Sequence, residues 1–126
     1  MSQMVELVSL CGDLIDVYSG EDALTVPMLS MGAAGTISVL SNVVPKEAVA
    51  MTDAFFAGDL KKAAALQCKL LPLTNALFSE VNPIPVKAAM AALGFCENYL
   101  RLPLVPMEEA HEKVLLGAMR DLGLKV

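Results

Sequence analysis

The sequence predicts a mostly helical α/β protein built on two parallel strands near its N-terminus. Three observations carry that expectation. Two short β-prone runs, Ile15-Asp16-Val17-Tyr18 and Thr36-Ile37-Ser38-Val39-Leu40, are separated by one helical stretch. Strands joined through a helix pair in parallel by a right-handed crossover. From Pro45 onward the apolar spacing is helical throughout.

The elements follow in order. Ser2 to Cys11 places Val5, Val8 and Cys11 at helical spacing, and Gly12 suits the position just past a helix end. After the first β-prone run, Ser19-Gly20-Glu21-Asp22 opens a helix expected to reach Met31, its acidic first turn favouring the helix dipole. Gly32 can end that helix, and Gly32-Ala33-Ala34-Gly35 reads as a tight turn into the second run. Pro45 suits the first position of a helix to about Ala57, broken by Gly58-Asp59. The next helix runs from Leu60 to about Ser79 with Leu60, Ala63, Ala64, Gln67, Leu70, Leu71, Thr74, Leu77 and Phe78 on one stripe. Pro72 lies inside it and removes the bond to the Cys68 carbonyl, so a kink is expected. Val81-Asn82-Pro83-Ile84-Pro85 should be extended, because proline disfavours the helical region at the residue before it. A helix from Pro85 to Leu93 then ends at Gly94. Arg101 to Pro106 is a second extended, proline-bounded segment. The last helix, from Met107 to Leu122, carries His111, Val114, Leu115, Ala118, Met119 and Leu122 on one stripe.

Two strands alone are an architectural problem. Parallel sheets are normally buried on both faces and hold several strands, whereas two leave open edges. Composition points the same way. The chain is 56% apolar and only 18% charged, more apolar surface than one domain of 126 residues readily hides. The sequence therefore reads as part of something larger, either an oligomer or a bigger fold.

Several classes are disfavoured. A net charge of −5 with scattered basic residues does not suit a phosphate-binding surface, so no nucleic-acid partner is expected. Cys11, Cys68 and Cys96 share no short spacing and cannot complete an intrachain disulfide framework, which points to reduced thiols in the cytoplasm. With one histidine, they offer no paired zinc-ligand spacing either, and no metal or cofactor is expected. Met1 to Glu6 has no basic run, so no signal peptide is expected. Ala23 to Val44 is uncharged and long enough to cross a bilayer, but Pro27, Gly32, Gly35 and Asn42 punctuate it, so no membrane span is expected.

Candidate chemistry is sparse. His111 is the single histidine, sits on a helical stripe and has no Gly-x-Ser-x-Gly elbow to serve, so a packing role is favoured over a catalytic base. Gly32 to Gly35 precedes a strand, whereas a phosphate loop follows one. Ser19-Gly20-Glu21-Asp22 does follow a strand and open a helix, where a β/α barrel keeps its active site, yet a helix cap with favourable dipole charges is the favoured reading of those residues over a binding role. Lys87 follows an apolar proline-rich run and is the tempting Schiff-base candidate. Its place in the first turns of a helix favours an exposed, snorkelling ammonium. Met28, Met31, Met51, Met90, Met107 and Met119 read as core filler.

Four segments then carry a resemblance. Tyr18-Ser19-Gly20-Glu21-Asp22, Gly35 to Pro45 (GTISVLSNVVP), Asn82-Pro83-Ile84-Pro85-Val86-Lys87 and Leu100 to Pro106 (LRLPLVP) occur in that order. The whole chain resembles the C-terminal portion of the dihydrodipicolinate synthase family, also called 4-hydroxy-tetrahydrodipicolinate synthase. The resemblance implies the last two strand-helix units of a (β/α)8 barrel, a partial TIM barrel, at residues 1–45 and a C-terminal helical region at residues 46–126. It implies a lyase of lysine biosynthesis that condenses pyruvate with aspartate semialdehyde through a lysine Schiff base, usually as a homotetramer. By the same resemblance the chain begins just after the strand bearing that lysine. The lysine, the assisting tyrosines and threonine, and the carboxylate-binding arginine lie in the part not present.

What carries over residue by residue is limited. Gly20 matches the strand-seven loop whose backbone carbonyl faces the substrate. Ile37 matches the strand-eight residue beside the Schiff-base lysine, and Asn82 opens the proline segment taken as support near the site. Sialic-acid lyases of the same superfamily prefer Asp-Glu after the strand-seven loop and Gly-Ser-Thr in strand eight, where this chain has Asp22-Ala23 and Ile37-Ser38-Val39. The departure favours the dihydrodipicolinate branch. The expectation is a chain with no catalytic residue of its own and no activity alone, its partner a complementing barrel half or further copies of itself. The alternative is a non-catalytic helical oligomerisation module. A chain that stays monomeric in light scattering at high concentration would count against that alternative.

Overall fold

The structure, a computed structural model, describes residues 1–126. The chain divides into two compact units, Met1–Lys69 and Leu70–Val126.

In the first unit, α1 spans Ser2–Cys11, as the periodicity predicts. Gly12 follows it with φ −61°, so it ends the helix without using the left-handed freedom expected of it. Strands β1 (Tyr18–Ser19) and β2 (Gly35–Thr36) pair in parallel, Tyr18 opposite Gly35 and Ser19 opposite Thr36. Backbone bonds extend the pairing at both ends: Ala34 N–H donates to the Val17 carbonyl at 2.8 Å and Ile37 N–H to the Ser19 carbonyl at 2.7 Å. A Cβ on Gly35 would stand 3.1 Å from the Tyr18 ring, so glycine lets the two strands close on each other there.

The second strand is shorter than its sequence suggests. The Val39 and Leu40 amides are taken by the Asp22 carboxylate, and Ser38 Oγ accepts Ser41 N–H at 2.8 Å. The chain therefore turns into α3 (Leu40–Val43), which buries Leu40 and Val43. β propensity describes fit to a half-buried pleated surface and yields to such capture.

The helix expected to open at Ser19-Gly20-Glu21-Asp22 and reach about Met31 is also interrupted. A 3-10 turn, Asp22–Leu24, precedes α2, Thr25–Ser30. Gln67 explains the break. In a continuous helix the Asp22 carbonyl would accept Val26 N–H. Instead Gln67 Nε2 donates to that carbonyl at 2.9 Å, and Gln67 Oε1 accepts Val26 N–H at 3.0 Å. A side-chain amide inserted into the ladder is a recognised cause of helix irregularity. Gly32, at φ 97°, then closes α2 as predicted, with Ala33 N–H returning to the Met28 carbonyl.

Met4, Val17, Leu29 and Ala33 form the buried cluster between α1, β1 and α2, with Val8, Met28, Met31 and Phe55 packed against it. Helix α4 (Pro45–Phe56) starts on proline and packs on α3 and α2. Gly58 turns at φ 83°, and Asp59 Oδ1 accepts Lys62 N–H to cap α5, Leu60–Leu77. Along α5, Ala63, Gln67, Leu70, Thr74 and Leu77 are buried, while Leu60, Ala64, Leu71 and Phe78 are exposed, so the apolar stripe is narrower than the spacing alone suggests. Pro72 lies on the exposed side, and the helix continues through it.

In the second unit, α6 (Ile84–Ala92) follows the cis Asn82–Pro83 bond, ends at Gly94 (φ 79°) and packs on α7, Glu109–Asp121. Helix α7 opens at Glu109 because the Glu108 N–H leaves in extended geometry to donate to Glu80 Oε1 at 3.0 Å. The same oxygen stands 2.8 Å from His111 Nδ1. His111, half-buried, thus shares a hydrogen bond with Glu80 at the start of α7. Hydrogen bonding from His111, then from the Glu108 amide, holds the Glu80 carboxyl below its ordinary value of 4.5, outweighing the opposing effect of desolvation.

A depressed carboxyl gives stability that is complete above its unfolded value and is lost as pH falls through its folded value. Glu80→Gln should therefore lower the melting temperature at pH 7 and flatten its decline below about pH 4.5, the ordinary value. Parallel acid-melting curves for the two proteins would refute this.

No helix is long and apolar enough to cross a membrane. No three His, Cys, Asp or Glu side chains gather as metal ligands. The three cysteines are free.

Candidate functional site

The chemistry-bearing end of a parallel β/α layer lies beyond the C-terminal ends of its strands. Here two loops meet at that end. Gly20 and Glu21 follow β1; Ile37, Ser38 and Val39 follow β2. The Ser19 carbonyl joins them, accepting both Ile37 N–H at 2.7 Å and Thr36 Oγ1–H at 3.1 Å. Ser19 Oγ also bridges its own loop, accepting Glu21 N–H at 3.2 Å and donating to the Glu21 carbonyl at 3.0 Å. Gly20 and Ile37 are thereby brought side by side in backbone terms. Both are open to solvent, Ile37 at 72% exposure.

Asp22 locks the same pair of loops. It is 2% exposed, and its Oδ2 accepts the Val39 and Leu40 amides, each at 2.9 Å. The expected dipole-capping role on its own helix falls instead to Glu21, whose Oε1 accepts Ala23 N–H at 3.4 Å. Gln67 holds the Asp22 carbonyl from α5. Neither the cross-loop bond of Asp22 nor the brace of Gln67 is anticipated from sequence. The available signal was Gln67 itself, a lone amide among alanines and leucines on the buried stripe of α5.

Gly20 has a particular freedom. Its φ is not positive, and a Cβ built on it would meet nothing within 4 Å. Within this chain, packing does not call for glycine there.

A cavity of about 420 Å³ opens beside β1, walled by Met4 and Leu7 of α1, Val17, Tyr18 and Gly20 of the strand segment, and Met28 of α2. No lysine lines it. Its walls are largely those of an unpaired sheet edge and the helix flanking it. Asn82 lies in the second unit, exposed, at the cis bond that precedes α6. Lys87 is half-buried in the first turns of α6, with its backbone N–H on the Pro83 carbonyl.

Parallel strands joined through a helix, with their loops gathered at one end and helices following, make this a partial β/α barrel of the TIM type. The profile of the dihydrodipicolinate synthetase family matches residues 1–121, and the chain belongs to that family. It is 48% identical over 124 residues to the 4-hydroxy-tetrahydrodipicolinate synthase of Geotalea uraniireducens, covering 98% of this chain and 43% of that protein. The corresponding Geobacter sulfurreducens protein matches to the same identity and extent. The crystal structure of dihydrodipicolinate synthase from Thermotoga maritima superposes with a TM-score of 0.94 at 44% identity, over 97% of this chain and 42% of that one. A chloride-inhibited dihydrodipicolinate synthase from Acinetobacter baumannii, complexed with pyruvate, superposes at 0.90 with 35% identity, over 97% and 42%. The chain spans about 43% of the length of the curated relatives it matches, as their C-terminal part.

Proposed function

We propose that this chain supplies one side of a Schiff-base aldolase pocket, in which pyruvate held on a lysine is joined to aspartate semialdehyde for lysine biosynthesis. Residues 1–45 contribute the seventh and eighth barrel strands, and residues 46–126 form the C-terminal helical region. The lysine comes from the part of the family fold that the chain does not span. Gly20 presents its carbonyl to substrate and Ile37 packs beside the imine, while the role of Asn82, in the proline segment of the second unit, rests on the family resemblance alone. The setting is the cytoplasm, where three free thiols stay reduced. The observation that carries this reading is Gly20: a glycine at a strand's C-terminal end that neither backbone handedness nor packing requires.

The test is reconstitution. The 126-residue chain, joined behind the preceding portion of the Geobacter sulfurreducens relative, should condense the two substrates. Gly20→Ala in that protein should fold with unchanged or slightly raised stability, because alanine restricts the unfolded chain by about 0.4–1 kcal/mol where its geometry is tolerated. Its kcat/KM should fall at least tenfold. An alanine variant as active as the parent would count against the role of Gly20. An inactive parent would remove the reading altogether.

A further inference from the structure

The site's most buried carboxylate lies in neither of the positions singled out for substrate. Asp22 binds two backbone amides of the neighbouring loop, while its own carbonyl is held by Thr25 Oγ1 at 3.2 Å and Gln67 Nε2 at 2.9 Å. Every one of these bonds points into the protein. One oxygen of its carboxylate, Oδ2, is therefore engaged with the backbone. The strand pairing beside it is only two residue pairs long. So short a ladder fixes the relative height and angle of the loops that leave it only weakly. Charge-assisted bonds to two successive amides, 17 and 18 residues away in sequence, supply the constraint that the ladder lacks.

We infer that Asp22 is a positioning residue: its carboxylate sets the loop carrying Gly20 against the loop carrying Ile37, and Gln67 fixes Asp22 in turn. The inference rests on the aldolase reading above. A pocket assembled from two loops needs them placed to well within an ångström, since small misplacements reduce rate by orders of magnitude. The bond pattern also makes a chemical distinction. Asparagine at 22 retains one oxygen acceptor for the amides, but without the charge. Alanine leaves both amides without a partner.

The experiment uses the reconstituted protein described above. Asp22→Ala is expected to raise KM for the aldehyde substrate about tenfold and to lower kcat, with Asp22→Asn falling between it and the parent. Trapping of pyruvate on the barrel lysine should proceed as in the parent, because that lysine is held elsewhere. Hydrogen exchange at the Val39 and Leu40 amides should quicken in the order parent, asparagine, alanine. A purely structural role would reduce the folded fraction and so the apparent kcat, with both KM values unchanged. That pattern would overturn the inference, as would unaltered exchange at the two amides. An inactive parent would instead defeat the aldolase reading, and the catalytic meaning of Asp22 with it.

Discussion

Borohydride added with pyruvate should leave no stoichiometric adduct on any lysine of the 126-residue chain by itself. A lysine becomes an imine-forming nucleophile when an apolar pocket or a neighbouring cation disfavours its protonated form. Six of the seven lysines, Lys46, Lys61, Lys62, Lys69, Lys113 and Lys125, are exposed. Lys113 is also paired with Glu109 at 2.6 Å. Lys87 is the half-buried one, but it projects from the first turns of α6 rather than from a strand end, and the cavity beside β1 has no lysine in its wall. The expected contrast is complete: no incorporation by mass spectrometry for the chain alone, and one adduct per chain on a lysine of the added portion after reconstitution. A single full adduct on Lys87 would overturn the division of labour proposed here.

The largest loss of stability should come from Leu115→Ala in α7. Leu115 is fully buried, as is Met119 one turn further on, and α7 packs on α6. Truncation removes the transfer free energy of the lost methyl and methylene groups and leaves a cavity, together about 2–5 kcal/mol. The fully buried position places the expectation in the upper half of that range. Val114, the adjacent residue on the predicted stripe, is 62% exposed, and Val114→Ala should change stability by about 0.5 kcal/mol or less. Urea unfolding of both variants would check the pair. Equal losses would mean that the two positions have been assigned to the wrong faces.

The residues made much of this legible. Periodicity located α1 to the residue, and glycine placed the ends of α2, α4 and α6 at Gly32, Gly58 and Gly94, where φ is positive. Parallel pairing followed from one intervening helix. Family membership was readable because four spaced segments kept their order, and the profile match over residues 1–121 agrees. What could not be read was long-range polar capture. The turn at Ser38 and the break at Leu24 depend on Asp22 and Gln67, whose partners stand 17 to 45 residues away. Nothing in the local pattern of Thr36 to Leu40 reveals that its last amides are already engaged. The width of the α7 stripe was overstated for a related reason: spacing gives a face, but only neighbours decide how much of it is covered.

The brevity of the β1–β2 pairing also bears on what holds this part of the protein together. Two residue pairs release too little free energy to offset closing the loop of some fifteen residues between them. The pairing depends on the helices that bracket it, whose buried contacts among Met4, Val17, Leu29 and Ala33 hold this segment together. The geometry of the loops at the strand tips is then inherited from the helical scaffold, and a substitution on the buried side of α2 would be felt there first.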